Sequence, residues 1–330
     1  MSYFSPVFLA LVFFLSPFSA DRKSAVTWAT GFLSPAPDGQ KAFFTDDPMF
    51  APMTWDAARK LYFDALTNRV KNTRQKSMSD TFSAVGHVMH LLQDMAVPAH
   101  TRNDFQSHLI GKTLAETTSL NPIKWKKQPY EYYVQVNADI VRVATPVFPV
   151  YDDLKITDFW DTNNYNGNNP SITGKSLSNI GLAEFSNSSY FSDYTIYPNN
   201  NPTLAHTYPY PYINDSTYQG GYQICADLSP VGSSYPEGYP TRKYISRKIK
   251  GVCPPVSAAR SADHFAVVSL LDEDNTSTIP ISSLRLWLDN NVHNTYANEL
   301  LPAAIGYSAG LLNYFFRGDI RLEYTAEPNA

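Results

Sequence analysis

The sequence predicts a mainly α-helical fold that is interrupted by a loop-rich, partly β insertion. Two observations predict it. Apolar residues recur at three- and four-residue steps between about residues 54 and 144, and again near the carboxyl end. Between them, from about Thr145 to Ser257, lies a block rich in Tyr, Pro and Asn, with runs such as NNYNGNNP and YPYPYIND. This block is too aromatic for a disordered chain and too broken for long helices, so we expect loops with a small sheet.

The composition is that of a globular protein that can build its own core. Of 330 residues, 43% are hydrophobic and 17% are charged, and the formal net charge is −4. This small negative charge gives no general electrostatic basis for binding nucleic acid or an anionic membrane. Any such polyanion would need a local site.

The first 20 residues predict a secretory signal peptide. The apolar run from Val7 to Leu15 is too short to span a bilayer, and Ala20 is a small residue ahead of DRK. The alternatives are an uncleaved anchor or a wrongly assigned start. Residues 21–53 contain the turn sequences SPAPDG and TDDP, and we interpret them as an arm over the domain. This reading predicts a secreted or periplasmic protein.

Four helical segments are predicted. The first begins after the capping residue Thr54, with Asp56 in its first turn. Its apolar face contains Trp55, Ala58, Leu61, Tyr62 and Leu66. The second runs from about Ser77 to Met95 and must end before Pro98. Its apolar face contains Phe82, Val85, Met89 and Leu92.

The third helix begins near Pro129, which fits a first helical turn. The last helix, near Asn294, should end at Gly318 as its C-cap. Its apolar stripe contains Leu300, Leu301, Ile305, Ala309, Leu312 and Phe315. We therefore divide the chain into a helical metal-binding part (54–144), the insertion (145–257) and a helical part (258–330) that completes the same domain.

The chain has two cysteines, Cys225 and Cys253, on either side of a Tyr/Pro/Gly-rich stretch. In an exported protein such a pair is typical of a disulfide that closes a surface loop. A metal site would need more ligands nearby.

The stretch GHVMHLLQDMAVPAHTRND, residues 86–104, contains three of the seven histidines. On a helix, His90 and Asp94 lie at i and i+4 on one face, with His87 one turn earlier. Pro98 stops the helix, so His100 can return from the next turn toward a metal ion held by the other two. The alternative is that the histidines belong to the helix surface or the core. Apolar neighbours such as Leu92 and Met95 favour the metal, because an unpaired carboxylate is costly there.

These residues carry a resemblance to a known family. HLLQDMAVPAH resembles the H-x3-D-x5-H signature of the zinc-dependent phospholipase C and S1/P1 nuclease family, and PYEYYV and LLPAAIGYSAGLLNYFFRG are similar to its later segments. The run from Trp55 to Asp104 and the closing helix more specifically resemble a bacterial group of exported phospholipase C-like proteins. The resemblance implies a helical phospholipase C/P1 nuclease-like domain that binds zinc.

The resemblance also implies the ligands. His90 and Asp94 would belong to one zinc position, and His100 and Glu131 to a second. Lys127 stands where the family has a histidine four residues before this Glu, and His108 is the nearest replacement. Upstream, KAFFTDDP carries Ala42 where the family has another histidine. We therefore expect one or two zinc ions.

The implied reaction is hydrolysis of a phosphodiester by a water molecule that the zinc ions activate. Asp104 would orient that water as the catalytic base, and Arg102 would steady the phosphate. A helix-capping or surface salt-bridge role for either residue stays open.

The implied substrate is a phospholipid or another phosphodiester, with contact to a membrane surface and no nucleic acid. A second hypothesis is a catalytically impaired surface or binding protein that keeps the fold and one zinc ion. A third is an S1/P1-type nuclease, which the lack of a basic groove in the sequence disfavours.

Overall fold

The computed structural model describes residues 29, 53–102, 104, 129–151, 153–162, 176–193, 195–196, 223–228, 241–246, 253, 264–279 and 283–317. Within these residues the fold is mainly helical with two small sheets, as predicted at that level. The expected signal peptide, His108 and Gly318 lie outside the described residues. So does the N-terminal arm, apart from Ala29 and Met53.

The helices are α1 (Trp55–Thr67), α2 (Lys71–Gln93), α3 (Pro98–Thr101), α4 (Tyr130–Val136), α5 (Asp139–Val143), α6 (Leu182–Ser189), α7 (Leu270–Glu273) and α8 (Asn290–Phe316). Short 3-10 turns span Asp94–Ala96 and Ile156–Phe159. Strands β1 (Phe148–Val150) and β2 (Ser176–Ser178) pair in parallel. An antiparallel sheet has the order β3 (Gln223–Leu228), β4 (Thr241–Ser246), β5 (Ala266–Val268), β6 (Leu286–Trp287).

Helix α1 begins where its capping residue predicts. The Thr54 hydroxyl accepts a hydrogen bond from the backbone N–H of Ala57 at 3.2 Å. Its buried positions are Trp55, Ala58 and Ala65, but Leu66 is 60% exposed, so the prediction was wrong at that position. Leu66 follows Ala65 directly, and one residue turns a helix by about 100°, which points this side chain away from the core.

Helix α2 is longer than predicted at its start and ends as predicted. It begins at Lys71, after Val70, which provides no side-chain cap that the sequence could have signalled. At the other end, Val97 has φ −104° and ψ 109°, the extended conformation that Pro98 imposes on its neighbour.

The buried face of α2 is partly polar. Ser77 and Thr81 are buried. The Thr81 hydroxyl donates to the Ser77 carbonyl at 2.8 Å, so this hydroxyl has a hydrogen-bond partner although it is buried. The predicted core residue Phe82 is instead 56% exposed, which corrects the expected face. Small side chains allow α2 to pack closely on α1, and an apolar stripe alone does not reveal such a face.

The segment after Pro129 forms two short helices, α4 and α5, rather than one. Residues 137–138 separate them, and neither helix contains a fully buried residue. Without a buried face, little packing energy favours a single continuous helix here.

Helix α8 is the central element. Leu300, Ala303, Tyr307 and Leu311 are at most 1% exposed and define its buried face. Most of the predicted stripe is only half-buried, because α8 is covered on several sides by α2, α4, α6 and β1. It also packs against α2: the Gln93 side-chain amide donates to the Ser308 hydroxyl at 3.1 Å.

The described part of the 145–257 segment packs into the same core. Phe159, Trp160, Leu177 and Phe185 are at most 1% exposed. The aromatic run YFSDYTIY, residues 190–197, has a composition that favours a β-strand, but its described residues contain no strand. Its first residue, Tyr190, packs against Tyr296 of α8 with ring centroids 4.8 Å apart, so this aromatic run serves the core rather than a sheet.

The predicted disulfide is present. Cys225 of β3 is bonded to Cys253, with Cα atoms 5.4 Å apart, a normal spacing for a disulfide. Among the helices that the structure describes, none has the length and apolar character needed to cross a membrane.

Candidate metal-binding site

The end of α2 positions the first pair of candidate ligands. His90 lies in the last turn of α2, and Asp94 begins the 3-10 turn that follows. Their side chains face each other as the spacing predicts, with His90 Nε2 and Asp94 Oδ2 3.6 Å apart. The His90 side chain is 51% exposed and that of Asp94 is 18% exposed, so His90 does not lie in the apolar surroundings that the sequence suggested.

The turn at Pro98 brings His100 back to the backbone of Asp94. His100 Nδ1 lies 3.2 Å from the Asp94 carbonyl oxygen. A carbonyl oxygen can only accept a hydrogen bond, so this contact assigns the proton to Nδ1. The other ring nitrogen, Nε2, is therefore directed away from this carbonyl. A histidine held in this way by a backbone carbonyl is oriented as metal-binding histidines usually are.

The Glu131 side chain lies close to His100 Nε2. It lies in the first turn of α4, and its Oε1 is 3.5 Å from His100 Nε2. The two side chains are 36% and 17% exposed, so the pair lies at the protein surface but is partly shielded.

The separations within both pairs suit two ligands of one ion. At 3.6 Å and 3.5 Å they exceed normal hydrogen-bond lengths. Two ligands about 2.0–2.2 Å from a tetrahedral zinc ion are separated by about 3.3–3.6 Å. The donor set, imidazole nitrogen with carboxylate oxygen, is also one that zinc accepts.

The two pairs do not merge into a single cluster in the described part of the chain. There, no group of three or more His, Cys, Asp or Glu side chains is arranged to hold a metal ion. The link between the pairs is Asp94, which faces His90 through its carboxylate and His100 through its backbone carbonyl. The fifth predicted ligand, His108, is not among the described residues.

His87, one turn before His90, is half-buried. Its burial, and secondarily the charge of His90, lower the pKa of His87. Its imidazole therefore adds little positive charge to the helix end at pH 7.

Arg102 and Asp104, the predicted catalytic pair, are buried at 1% and 4% exposure. The Arg102 guanidinium donates to the Thr195 hydroxyl and to the Asn187 carbonyl, both at 2.6 Å. These bonds connect the end of α3 to the chain around α6. The Asp104 backbone N–H donates to the Ala99 carbonyl at 2.8 Å. The contacts of Arg102 favour a role in holding the turn that carries His100.

A small cavity beside the site includes residues that sequence reasoning missed. Its volume is about 20 Å³, close to the space that one water molecule needs, and Glu131, Asp193 and His293 are among its lining residues. Asp193 and His293 are far from the motif in sequence, so no local spacing could have pointed to them.

Among the described residues, the buried Tyr130 hydroxyl finds no hydrogen-bond partner. Burial, with the Glu131 charge, raises the pKa of Tyr130, so the phenol stays protonated.

The chain matches no protein-family model, no curated protein and no solved structure in the comparisons made. The resemblance to the zinc-dependent phospholipase C family therefore rests on the quoted motifs and stays a prediction.

A contrasting histidine–carboxylate pair lies in the sheet. His264 Nε2 and Asp227 Oδ2 are 2.8 Å apart, and both residues are buried. This is a direct hydrogen bond that joins β3 to the residues before β5. The wider spacing of the pairs at the end of α2, together with their greater exposure, sets them apart from this structural pair.

Proposed function

We propose that the protein is a secreted or periplasmic zinc-dependent phosphodiester hydrolase of the phospholipase C type. The observation that supports this most is the pairing of His90 with Asp94 and of His100 with Glu131 at ligand-like separations. Each pair has one side chain that is at least 36% exposed, His90 in the first and Glu131 in the second, so both pairs reach solvent.

The residues have distinct roles in this proposal. The two pairs would hold one or two zinc ions, which supply Lewis acidity and lower the pKa of bound water. The Asp94 carbonyl fixes the tautomer and direction of His100. Asp104 stays the proposed base, and Arg102 would position the turn through Asn187 rather than contact the phosphate.

The proposal is tested by metal content and activity together. We expect protein purified without chelators to contain zinc by elemental analysis and to hydrolyse a chromogenic phosphodiester. His90→Ala or Asp94→Ala should remove both properties, because each deletes one member of a ligand pair. His206→Ala, in the predicted insertion, is the control and should change neither. Wild-type protein without zinc would overturn the proposal.

The alternative is a protein of this fold that has lost catalysis and acts at a surface. The pairing of ligands without a group of three among the described residues supports it, as does Ala42 in place of a histidine. One zinc ion per chain that depends on Asp94, with no hydrolysis of any phosphodiester, would favour this alternative.

A further inference from the structure

The outward face of α1 and the turn after it expose large apolar side chains. Phe63 is 64% exposed, and Leu66 and Val70 are each 60% exposed. The opposite face of α1 is buried, because Trp55 and Ala58 pack into the core. Phe63 and Leu66 are three positions apart, so both project from the same outward face.

The same surface is basic. From residue 56 to residue 80 the chain has six Lys or Arg residues and three acidic residues, although the whole protein has 26 basic and 30 acidic residues. Of the acidic residues, Asp80 pairs with Lys76, and Asp56 is the exposed carboxylate on the outward face of α1. Four exposed basic residues are neighbours of the apolar side chains along the chain: Arg59 and Lys60 lie one turn before Phe63, and Arg69 and Lys71 lie on either side of Val70. A protein with net negative charge thus carries a local positive region, the kind of site that its overall charge does not predict.

From this combination we infer that Arg59, Lys60, Phe63, Leu66, Val70 and Lys71 form a docking surface for an anionic lipid membrane, here called the α1 surface. Nucleic acid would match the charge but would leave Phe63 and Leu66 in water. An anionic bilayer matches both features, because Lys and Arg meet the headgroups while Phe and Leu enter the acyl boundary. The inference goes beyond the proposed function, since binding at this surface requires no hydrolysis.

The test is sedimentation with vesicles of phosphatidylcholine, with and without 30% phosphatidylglycerol, while phosphate products are assayed in the same samples. We expect binding to the anionic vesicles only, weakened by added salt because exposed charges are screened. Lys60→Glu should weaken it about 10- to 30-fold, since two charge units change near the membrane. Leu66→Ser should weaken it about five- to tenfold through lost apolar burial.

Matched controls use the same substitutions elsewhere. Leu271 is 71% exposed but lies beside Asp272 and Glu273, so Leu271→Ser should leave vesicle binding unchanged. Lys155→Glu, at another exposed lysine, should also have no effect. Circular dichroism should show the same helix content for all four variants.

Three results would overturn the inference. The first is equal binding to vesicles with and without phosphatidylglycerol. The second is absence of vesicle binding by the wild-type protein. The third is binding to duplex DNA that Lys60→Glu abolishes and Leu66→Ser leaves intact, which would make this a nucleic-acid surface. If the wild-type protein binds anionic vesicles but releases no phosphate products, the result counts against the proposed function alone.

Discussion

At Gly306, α8 lies very close to the chain that leads into β1. A Cβ atom built at this position would lie 2.0 Å from the carbonyl oxygen of Val147 and 2.4 Å from its carbonyl carbon. Both obstacles are backbone atoms, so no change of side-chain rotamer relieves the clash. The Val147 N–H also donates to the Pro302 carbonyl at 2.9 Å, which holds this segment against the helix.

The expected cost of Gly306→Ala follows from that geometry. Ordinary van der Waals contact begins at 3.4 Å, so the Val147 backbone must shift by more than 1 Å. Overpacking of this kind costs about 1–3 kcal/mol, and loss of the hydrogen bond to Pro302 adds about 1 kcal/mol. The better helix propensity of Ala offsets about 1 kcal/mol. We expect the free energy of unfolding to fall by about 1–3 kcal/mol.

Gly86 provides the matched control. It also lies inside a long helix, α2, but it is exposed and a Cβ there would meet nothing within 4 Å. Gly86→Ala should therefore raise the free energy of unfolding by about 0.5–1 kcal/mol, because only the propensity term acts.

Urea unfolding, followed by circular dichroism at 222 nm, measures both variants against the wild-type protein. The opposite signs of the two changes are the essential result. If Gly306→Ala were neutral or stabilising, the close approach of α8 to Val147 would be wrong, and so would this account of how the core is assembled.

Three further predictions concern charge, crosslinking and capping. Hydrogen bonds from Arg285 hold the pKa of Asp272 below its usual value, so this carboxylate contributes stability above about pH 4 and loses it as the pH falls through the lowered pKa. Asp272→Asn should thus cost about 1–2 kcal/mol at pH 7 and flatten the loss of stability below pH 4 in urea titrations. Replacing both Cys225 and Cys253 by Ser should lower the free energy of unfolding by about 2–4 kcal/mol under non-reducing conditions, whereas unchanged stability would contradict the bridge. Glu184→Ala removes a buried carboxylate that accepts hydrogen bonds from the backbone N–H groups of Thr162 and Gly181. Thermal unfolding should therefore show that the free energy of unfolding falls by about 1–3 kcal/mol. An unchanged melting temperature would contradict this capping role.

The sequence by itself determined the elements that local chemistry controls. Thr54 caps α1, and Pro98 forces an extended residue before it and so ends the helix. The spacing of His90, Asp94 and His100 followed from these rules, because a helix and a proline turn fix side-chain directions over short distances. The cysteine pair was likewise readable from number and position.

Only the tertiary structure decided which helix faces are buried and which distant residues meet. Phe82 and Leu66 are apolar yet exposed, whereas Thr81 is polar and buried, because helix packing follows the size and fit of side chains as well as hydropathy. His293 reaches the cavity beside the site although its separation from the motif along the chain carries no local signal. Glu131 approaches His100 over a similar gap, and in the sequence only the family resemblance, not any local pattern, linked the two residues. Such contacts arise when α4 and α8 pack around one core, so they depend on the whole fold.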